Sequence, residues 1–485
     1  MPSTPNYCTI RKIQVFTQKC PAPCSQSPGS AKRRIMKKHK LTTTVIIMLG
    51  FLAGALIGTL CLLLPVSLRP GQKIDFFDAL FVAMSSVCVT GLSTVNIGQT
   101  FSAFGQVVIL FLIQFGGLGI VTFTTLILCV FHRRITLSDR MLIQSAYNLD
   151  TLTGLVRLTL RIFKITLILE GIGAVGYFFV FVPRFGIKGI WYGIFHAVSA
   201  FCNAGIDLLG GNSFCAYSGN IILNLTTVFL IIVSGLGFPV YWELARSLFP
   251  GRFQKEGGYT RKLNLHTRLV IIATSSLIVA GTVLTLLFEF DNPATLGIMS
   301  WPEKIMAALF QSVTLRTAGF ATIPQELFRP VSCLAYLVLM FIGGSPAGTA
   351  GGVKTVTIVL LFASMFANIR GKKDVTIMRR KIADETIRRC VAIVTFSLST
   401  LLLLTMALLA VQQSNFLDTL YEMTSAIATV GLSRGLTGSL NPVGKLIVAL
   451  TMYLGRIGPI TLALAFNSNA PAENITHAQS KIIIG

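Results

Sequence analysis

Long apolar runs separated by short basic stretches dominate the 485-residue sequence. A bilayer core about 30 Å thick requires about 20 apolar residues in a helical span. Several runs reach this length, at residues 41–65, 107–131, 221–240, 269–287 and 391–411. The pattern therefore predicts an integral membrane protein. The first run is too long for a signal peptide and should remain as a span.

The basic residues form four blocks that alternate with the apolar stretches. Residues 1–40 contain nine Lys or Arg and no Asp or Glu, and further blocks occupy residues 132–164, 246–268 and 370–389. Cytoplasmic loops carry such an excess, so we expect a multi-pass protein of the plasma membrane with both termini in the cytoplasm. The net charge of +23 is then explained by the basic segments on the cytoplasmic side of the membrane. For residues 1–40, a solvated tail is favoured over nucleic-acid binding.

Between the basic blocks, each apolar piece must cross the bilayer an even number of times. Two full helices fit each piece and leave a short central segment that contains a glycine. These glycines, Gly91, Gly205, Gly319 and Gly431, are 114, 114 and 112 residues apart, which is typical of an internal repeat. The sequence therefore predicts an all-α polytopic membrane protein of four fused membrane-pore-membrane repeats. Eight transmembrane helices and four re-entrant pore loops would lie in a pseudo-fourfold arrangement.

The predicted boundaries follow from this division. They are a basic N-terminal tail (1–40), repeat 1 (41–131), repeat 2 (163–245), repeat 3 (268–369), repeat 4 (390–467) and a C-terminal tail (468–485).

The four short central segments carry the candidate chemistry. Backbone at membrane depth must be satisfied by protein or water. A glycine-containing stretch after a short helix can present carbonyl oxygens that replace the hydration shell of a monovalent cation. The alternative is that these loops only pack closely. The candidate filter residues are Val89, Thr90, Gly91, Asn203, Ala204, Gly205, Thr317, Ala318, Gly319, Thr429, Val430 and Gly431.

The Val-Thr-Gly-Leu, Asn-Ala-Gly-Ile, Thr-Ala-Gly-Phe and Thr-Val-Gly-Leu stretches around these glycines resemble the degenerate filters of the Trk/Ktr/HKT potassium transporters. With eight predicted helices and no pair before the first repeat, the chain is most similar to the bacterial Ktr membrane subunit. The resemblance implies potassium uptake. Gly91 implies a preference for K+, because serine there accompanies sodium transport in the family. A sodium-coupled or weakly selective monovalent cation transporter on the same scaffold is the alternative.

A second group of glycines interrupts the outgoing helix of the third repeat. Residues 343–352 contain five glycines and a proline within an apolar span, and both residue types disfavour a continuous helix. An interrupted helix at membrane depth is typical of a transport path, whereas the alternative is a flexible kink. The resemblance implies an intramembrane gating loop below the filter. The candidate gate residues are Gly343, Gly344, Ser345, Gly348, Thr349, Gly351, Gly352, Lys354 and Arg456.

Three cationic residues in or near the apolar segments leave alternatives open. Lys354 could snorkel to the cytoplasm, which is the commoner case, or contact a carbonyl of the loop. The resemblance makes Arg456 an electrostatic barrier and an anchor for the loop, whereas the alternative is that it snorkels. Glu170 is a candidate partner for this arginine. Asn203 departs somewhat from the family's filter pattern. In the third loop, Arg316 could pair with a carboxylate behind the filter or reach water.

The sequence carries no pattern of an enzyme, since it lacks His-Glu-x-x-His, a Gly-x-Ser-x-Gly elbow and a nucleotide-binding loop. Its ten cysteines are scattered and predict neither a zinc site nor a disulfide framework. No cofactor is expected. K+ is the expected cargo, with Na+ as a candidate activator. The resemblance further implies a homodimer surrounded by membrane lipid and a cytoplasmic nucleotide-binding regulatory subunit.

Overall fold

The computed structural model describes residues 43–119, 122, 155–210, 213–248 and 263–458. The two predicted tails, 1–40 and 468–485, lie outside the described residues, as do parts of the predicted repeats 1 and 4. The described chain is mostly helical, with one short antiparallel hairpin.

The helices of the described residues are numbered in chain order. They are α1 (Thr43–Leu63), α2 (Phe76–Cys88), α3 (Ile97–Thr100), α4 (Ala103–Leu118), α5 (Leu155–Phe185), α6 (Ile187–Cys202), α7 (Ile221–Leu236), α8 (Phe238–Leu248), α9 (Leu265–Glu289), α10 (Trp301–Thr314), α11 (Pro330–Phe341), α12 (Thr355–Ile369), α13 (Asp384–Val411), α14 (Phe416–Ala428) and α15 (Pro442–Ile457). Strands β1 (Thr376–Ile377) and β2 (Arg380–Lys381) pair between α12 and α13.

Four long helices, α1, α5, α9 and α13, have the length and composition of membrane spans. Only 22% to 39% of the residues in their apolar windows are buried within the chain. Most of their surface therefore faces outward, where an apolar helix with its backbone satisfied internally suits lipid. The pair α7 and α8 also passes the same test as one unit, but it is bent by 97°.

The helices that leave the glycine loops are shorter than the predicted spans. Each of α4, α7 and α15 has 16 residues, and α11 has 12 before a break that separates it from α12. The first three end at Gly119, Gly237 and Gly458, with φ between 81° and 91° and ψ between 144° and 150°. Glycine permits this conformation, which a Cβ disfavours. Within the described residues, four helices have the length of a span, one bent pair passes the same test, and the helices that leave the glycine loops are shorter.

The first and fourth repeats use equivalent close contacts. A Cβ added to Gly116 of α4 would overlap the carbonyl oxygen of Val87 in α2. A Cβ added to Gly455 of α15 would likewise overlap the carbonyl oxygen of Ile427 in α14. In both repeats, glycine therefore lets the outgoing helix touch the backbone of the short helix before the loop.

One partly buried salt bridge and one hydrogen bond from the arginine of a second salt bridge join the predicted fourth repeat to its neighbours. Lys445 of α15 bonds Asp78 of α2 at 2.5 Å, which joins repeat 4 to repeat 1. Arg434 bonds Asp418 at 2.7 Å and also donates to the carbonyl of Gln325 at 2.7 Å, which joins repeat 4 to repeat 3.

Candidate ion-conducting site

A turn with the same two positive φ values follows each of the four short helices; it begins directly after α2, α6 and α14, but two residues later after α10. Val89, Asn203, Thr317 and Thr429 all adopt the left-handed conformation, with φ between 51° and 72°. The glycine two residues later has a φ between 65° and 103° in every repeat. Two positive φ values within three residues reverse the chain sharply, and glycine accepts the second without strain.

The four glycines meet in a closed ring. A Cβ added to Gly205 would lie 2.6 Å from the carbonyl oxygen of Ala318, and one added to Gly319 would lie 2.7 Å from that of Val430. The ring closes because a Cβ on Gly91 would overlap the Ala204 oxygen, and one on Gly431 would overlap the Thr90 oxygen. Each glycine therefore faces the carbonyl that precedes the glycine of the next repeat, in the order 1, 2, 3, 4. Eight of the twelve candidate filter residues thus form the ring, and the other four, Val89, Asn203, Thr317 and Thr429, lie in the turns that lead into it.

Hydroxyl groups of the short helices support the turns from behind. Ser85 Oγ accepts the N–H of Gly91, and Ser425 Oγ accepts the N–H of Gly431, both at 3.0 Å. In the second repeat, Ser199 Oγ instead donates to the carbonyl of Ile206 at 2.7 Å. Sequence reasoning did not single out these serines. All three lie six residues before a filter glycine, so aligning the four segments on their glycines would have found them.

A buried carboxylate lies behind the fourth turn. Glu422 of α14 is fully buried and accepts hydrogen bonds from the hydroxyls of Ser433, at 2.6 Å, and Thr437. Each oxygen of this carboxylate therefore has a hydrogen-bond donor, which a buried carboxylate requires. The sequence analysis did not treat Glu422 as part of the candidate site.

A cavity of about 390 Å³ opens on one side of the ring and is lined by all four glycines. Asp207, two residues after Gly205, also lines it. One carboxylate oxygen of Asp207 accepts the N–H groups of Leu209 at 3.0 Å and Gly210 at 3.2 Å. We call this cavity the vestibule. Asp207 places an acidic group in it, next to the ring.

The break between α11 and α12, residues 342–354, forms a folded loop on the other side of the ring. The N–H of Gly343 donates to the carbonyl of Val353 at 2.9 Å, and Ser345 N–H donates to the carbonyl of Gly235 at 3.0 Å. Its backbone is thus satisfied partly by itself and partly by the broken end of α7, as nonhelical backbone at membrane depth requires.

The loop lies directly against the base of the ring. A Cβ added to Gly351 would overlap the Thr429 hydroxyl, and one added to Gly352 would lie 3.4 Å from the Ala428 Cβ. On the α7 side, a Cβ added to Gly344 or Gly348 would lie 3.4 Å from the Gly235 oxygen. The glycines therefore let the loop fill the space below the ring.

Two basic side chains hold the loop. Arg456 of α15 donates to the carbonyl of Thr349 at 2.8 Å and to that of Gly116 at 2.5 Å. Lys354 donates to the carbonyl of Ala350 at 2.7 Å. Of the two alternatives for Lys354, the structure has the carbonyl contact rather than snorkelling.

Two suggested ion pairs are wrong. Glu170 does not bond Arg456; one of its oxygens accepts from the Gln114 amide at 3.4 Å. Arg316 neither pairs with a carboxylate nor reaches water, because it is 7% exposed and donates to the carbonyl of Thr274 at 3.2 Å. In each case a neutral group of a neighbouring helix lies nearer than the suggested partner.

Residues 26–478 match the sequence model of the family described as TrkH, cation transport protein. The chain belongs to the TrkH family. The expected resemblance is therefore confirmed, and since the family consists of ion transporters, so is the expectation that the chain is not an enzyme.

Several named members of the TrkH family are similar to this chain over almost its whole length. The chain is 36% identical to Ktr system potassium uptake protein B of Bacillus subtilis, over 94% of this chain and 99% of the relative. It is 35% identical to potassium/sodium uptake protein NtpJ of Enterococcus hirae, with the same coverage. The crystal structure of the potassium transporter TrkH from Vibrio parahaemolyticus is similar with a TM-score of 0.69 and 18% identity, covering 89% of this chain and 86% of that one. This likeness supports the fold.

Proposed function

We propose that this chain takes up K+ across the plasma membrane through a selectivity filter built from the ring of carbonyls. The observation that carries the proposal is the cyclic contact of each filter glycine with the carbonyl preceding the next one. In this proposal, the four carbonyls of the ring replace the hydration shell of a monovalent cation. The four short helices add the negative ends of their dipoles, which favour a cation. The names of the Ktr relatives, which describe potassium uptake, support the choice of ion.

Potassium preference would depend on the absence of side chains inside the ring. At Gly91, φ is +103° and a Cβ would overlap the Ala204 oxygen. A serine there would displace that carbonyl and place a hydroxyl beside the path. Gly91→Ser should therefore weaken discrimination between K+ and Na+.

The loop of residues 342–354 acts as the gate in this proposal. It lies below the ring, and Arg456 and Lys354 bond its carbonyls. Passage of an ion would require the loop to move away, while the Arg456 charge would repel a cation that left the filter. The other candidate gate residues contribute because their small side chains let the loop pack closely below the ring.

Control of the gate belongs to a separate cytoplasmic nucleotide-binding subunit, and the membrane protein is a homodimer in lipid, with its termini and basic connections in the cytoplasm. The Ktr names of the relatives support a multisubunit system. The basic connection between α12 and α13, with exposed Arg370, Lys372, Lys373 and Arg380, supports a cytoplasmic position of that side.

A second candidate function is sodium-coupled or weakly selective transport of monovalent cations. One observation favours it: a relative with 35% identity is named a potassium/sodium uptake protein.

Uptake of labelled K+ into proteoliposomes tests the proposal, with Na+ as competitor and Gly91→Ser as the comparison. The regulatory subunit is supplied from the same source. Selective uptake that becomes less selective in Gly91→Ser supports the filter. Equal passage of both ions by the wild type would favour the second candidate, and stimulation by added Na+ would identify it as an activator. Absence of K+ uptake with the subunit present would refute the proposal.

A further inference from the structure

The four turns of the ring differ at the residue with the left-handed conformation. Val89 is apolar, and the hydroxyls of Thr317 and Thr429 have no hydrogen-bond partner among the described residues. Asn203, which is 1% exposed, is bonded on both sides of its amide. The second turn is therefore the one of the four whose side chain has polar partners in the described structure.

Those partners connect the ring to the loop. Asn203 Nδ2 donates to the hydroxyl of Thr349 at 3.2 Å, and Asn203 Oδ1 accepts from the hydroxyl of Ser234 at 3.2 Å. The Thr349 hydroxyl itself donates to the carbonyl of Phe201 at 3.2 Å. Because that hydroxyl has a single proton, it must accept from Asn203, which fixes the orientation of the amide.

Thr349 is held from two repeats at once. Its hydroxyl is bonded within the second repeat by Asn203 and Phe201, and its carbonyl accepts from Arg456 of the fourth repeat at 2.8 Å. The neighbouring backbone contacts of the loop with Ser234 and Gly235 do not depend on side chains. Asn203 therefore provides the specific side-chain contact between the second turn and the loop.

We propose that Asn203 is a positioning residue that latches the intramembrane loop in its occluding position, and that it is not a determinant of ion selectivity. The inference rests on the proposed function of the loop as the gate. Any opening movement that separates Thr349 from the ring must break the bond to Asn203 and leave buried polar groups without partners. The second repeat thereby couples the filter to the gate. The other three turns lack this side-chain link in the described structure.

The test compares ion flux and ion selectivity in two variants that remove the bond from either end. Asn203→Leu and Thr349→Val each keep the approximate side-chain volume. Loss of one buried hydrogen bond should raise initial K+ uptake about tenfold, with the ratio of K+ to Na+ uptake unchanged. The two effects should be less than additive in the double variant, because both substitutions remove the bond between Asn203 and Thr349. Thr349→Ser keeps the hydroxyl that bonds Asn203, so uptake should rise less than in Thr349→Val.

Thr227→Val is the matched control. This substitution removes the 2.7 Å hydrogen bond between the buried hydroxyls of Thr227 and Tyr177. Thr227 lies on α7, two helical turns away from Ser234. Uptake by this variant should equal that of the wild type, which separates the latch from a general loss of buried bonds.

Three results would overturn the latch. They are wild-type uptake in both single variants, additive effects in the double variant, and a changed ion ratio without increased flux in Asn203→Leu. Deleting residues 345–348 separates this failure from failure of the gate. If the deletion raises flux and the latch variants do not, only the latch is wrong. If the deletion also leaves flux unaltered, the gate and the latch are both wrong.

Discussion

Replacing Arg456 with alanine should open the ion path, and the size of the effect follows from its two contacts. The guanidinium donates to the carbonyls of Thr349 and Gly116, so it bridges the loop and α4. A hydrogen bond from a charged donor contributes about 1.5–3 kcal/mol. If both bonds exist only in the occluded state, a net loss of about 3 kcal/mol raises the ratio of open to occluded protein about 100-fold.

Two further substitutions separate the charge from the bonds. Arg456→Lys keeps the positive charge but offers one compact ammonium instead of a planar fork, so it should retain one of the two contacts and raise flux about tenfold. Arg456→Gln removes the charge and can keep a single neutral bond. Raised flux in the glutamine variant with wild-type flux in the lysine variant would assign the effect to charge alone.

Initial rates of labelled K+ uptake into proteoliposomes measure these effects, normalised to the amount of folded protein. The ratio of K+ to Na+ uptake should stay constant, because Arg456 contacts the loop and not the carbonyl ring. Wild-type flux in Arg456→Ala would refute the anchoring role. A changed ion ratio with wild-type flux would place the influence of Arg456 on the filter instead.

Three other predictions concern the remaining parts of the site. Asp207→Asn removes the acidic group that lines the vestibule. Uptake at subsaturating K+ should therefore fall in this variant, and wild-type uptake would exclude an electrostatic contribution of Asp207. Ser425→Ala removes the acceptor of the Gly431 N–H; we expect about 1 kcal/mol lower stability and weaker K+ preference, measured by thermal unfolding and ion competition. Wild-type values for both would contradict a supporting role. Deletion of residues 345–348 should raise flux, and an unchanged rate would exclude these residues from the gate.

Much of the architecture could be predicted because local rules set it. Apolar length marks the long spans, and basic blocks divide the repeats. The regular spacing of Gly91, Gly205, Gly319 and Gly431 located four similar turns, all of which have positive φ at glycine. The same rules applied to residues 343–352 located the break between α11 and α12. The positions at which the outgoing helices α4, α7 and α15 end, at Gly119, Gly237 and Gly458, were not predicted.

Only the tertiary structure decided which groups bond one another. Arg456 meets the carbonyl of Thr349, 107 positions away, rather than Glu170, and Asn203 meets the Thr349 hydroxyl across 146 positions. Arg316 is satisfied by the Thr274 carbonyl of a neighbouring helix. A sequence reveals that a buried cation or amide needs a partner. It does not reveal which of many equivalent backbone carbonyls will be nearest, because that depends on how helices from different repeats pack.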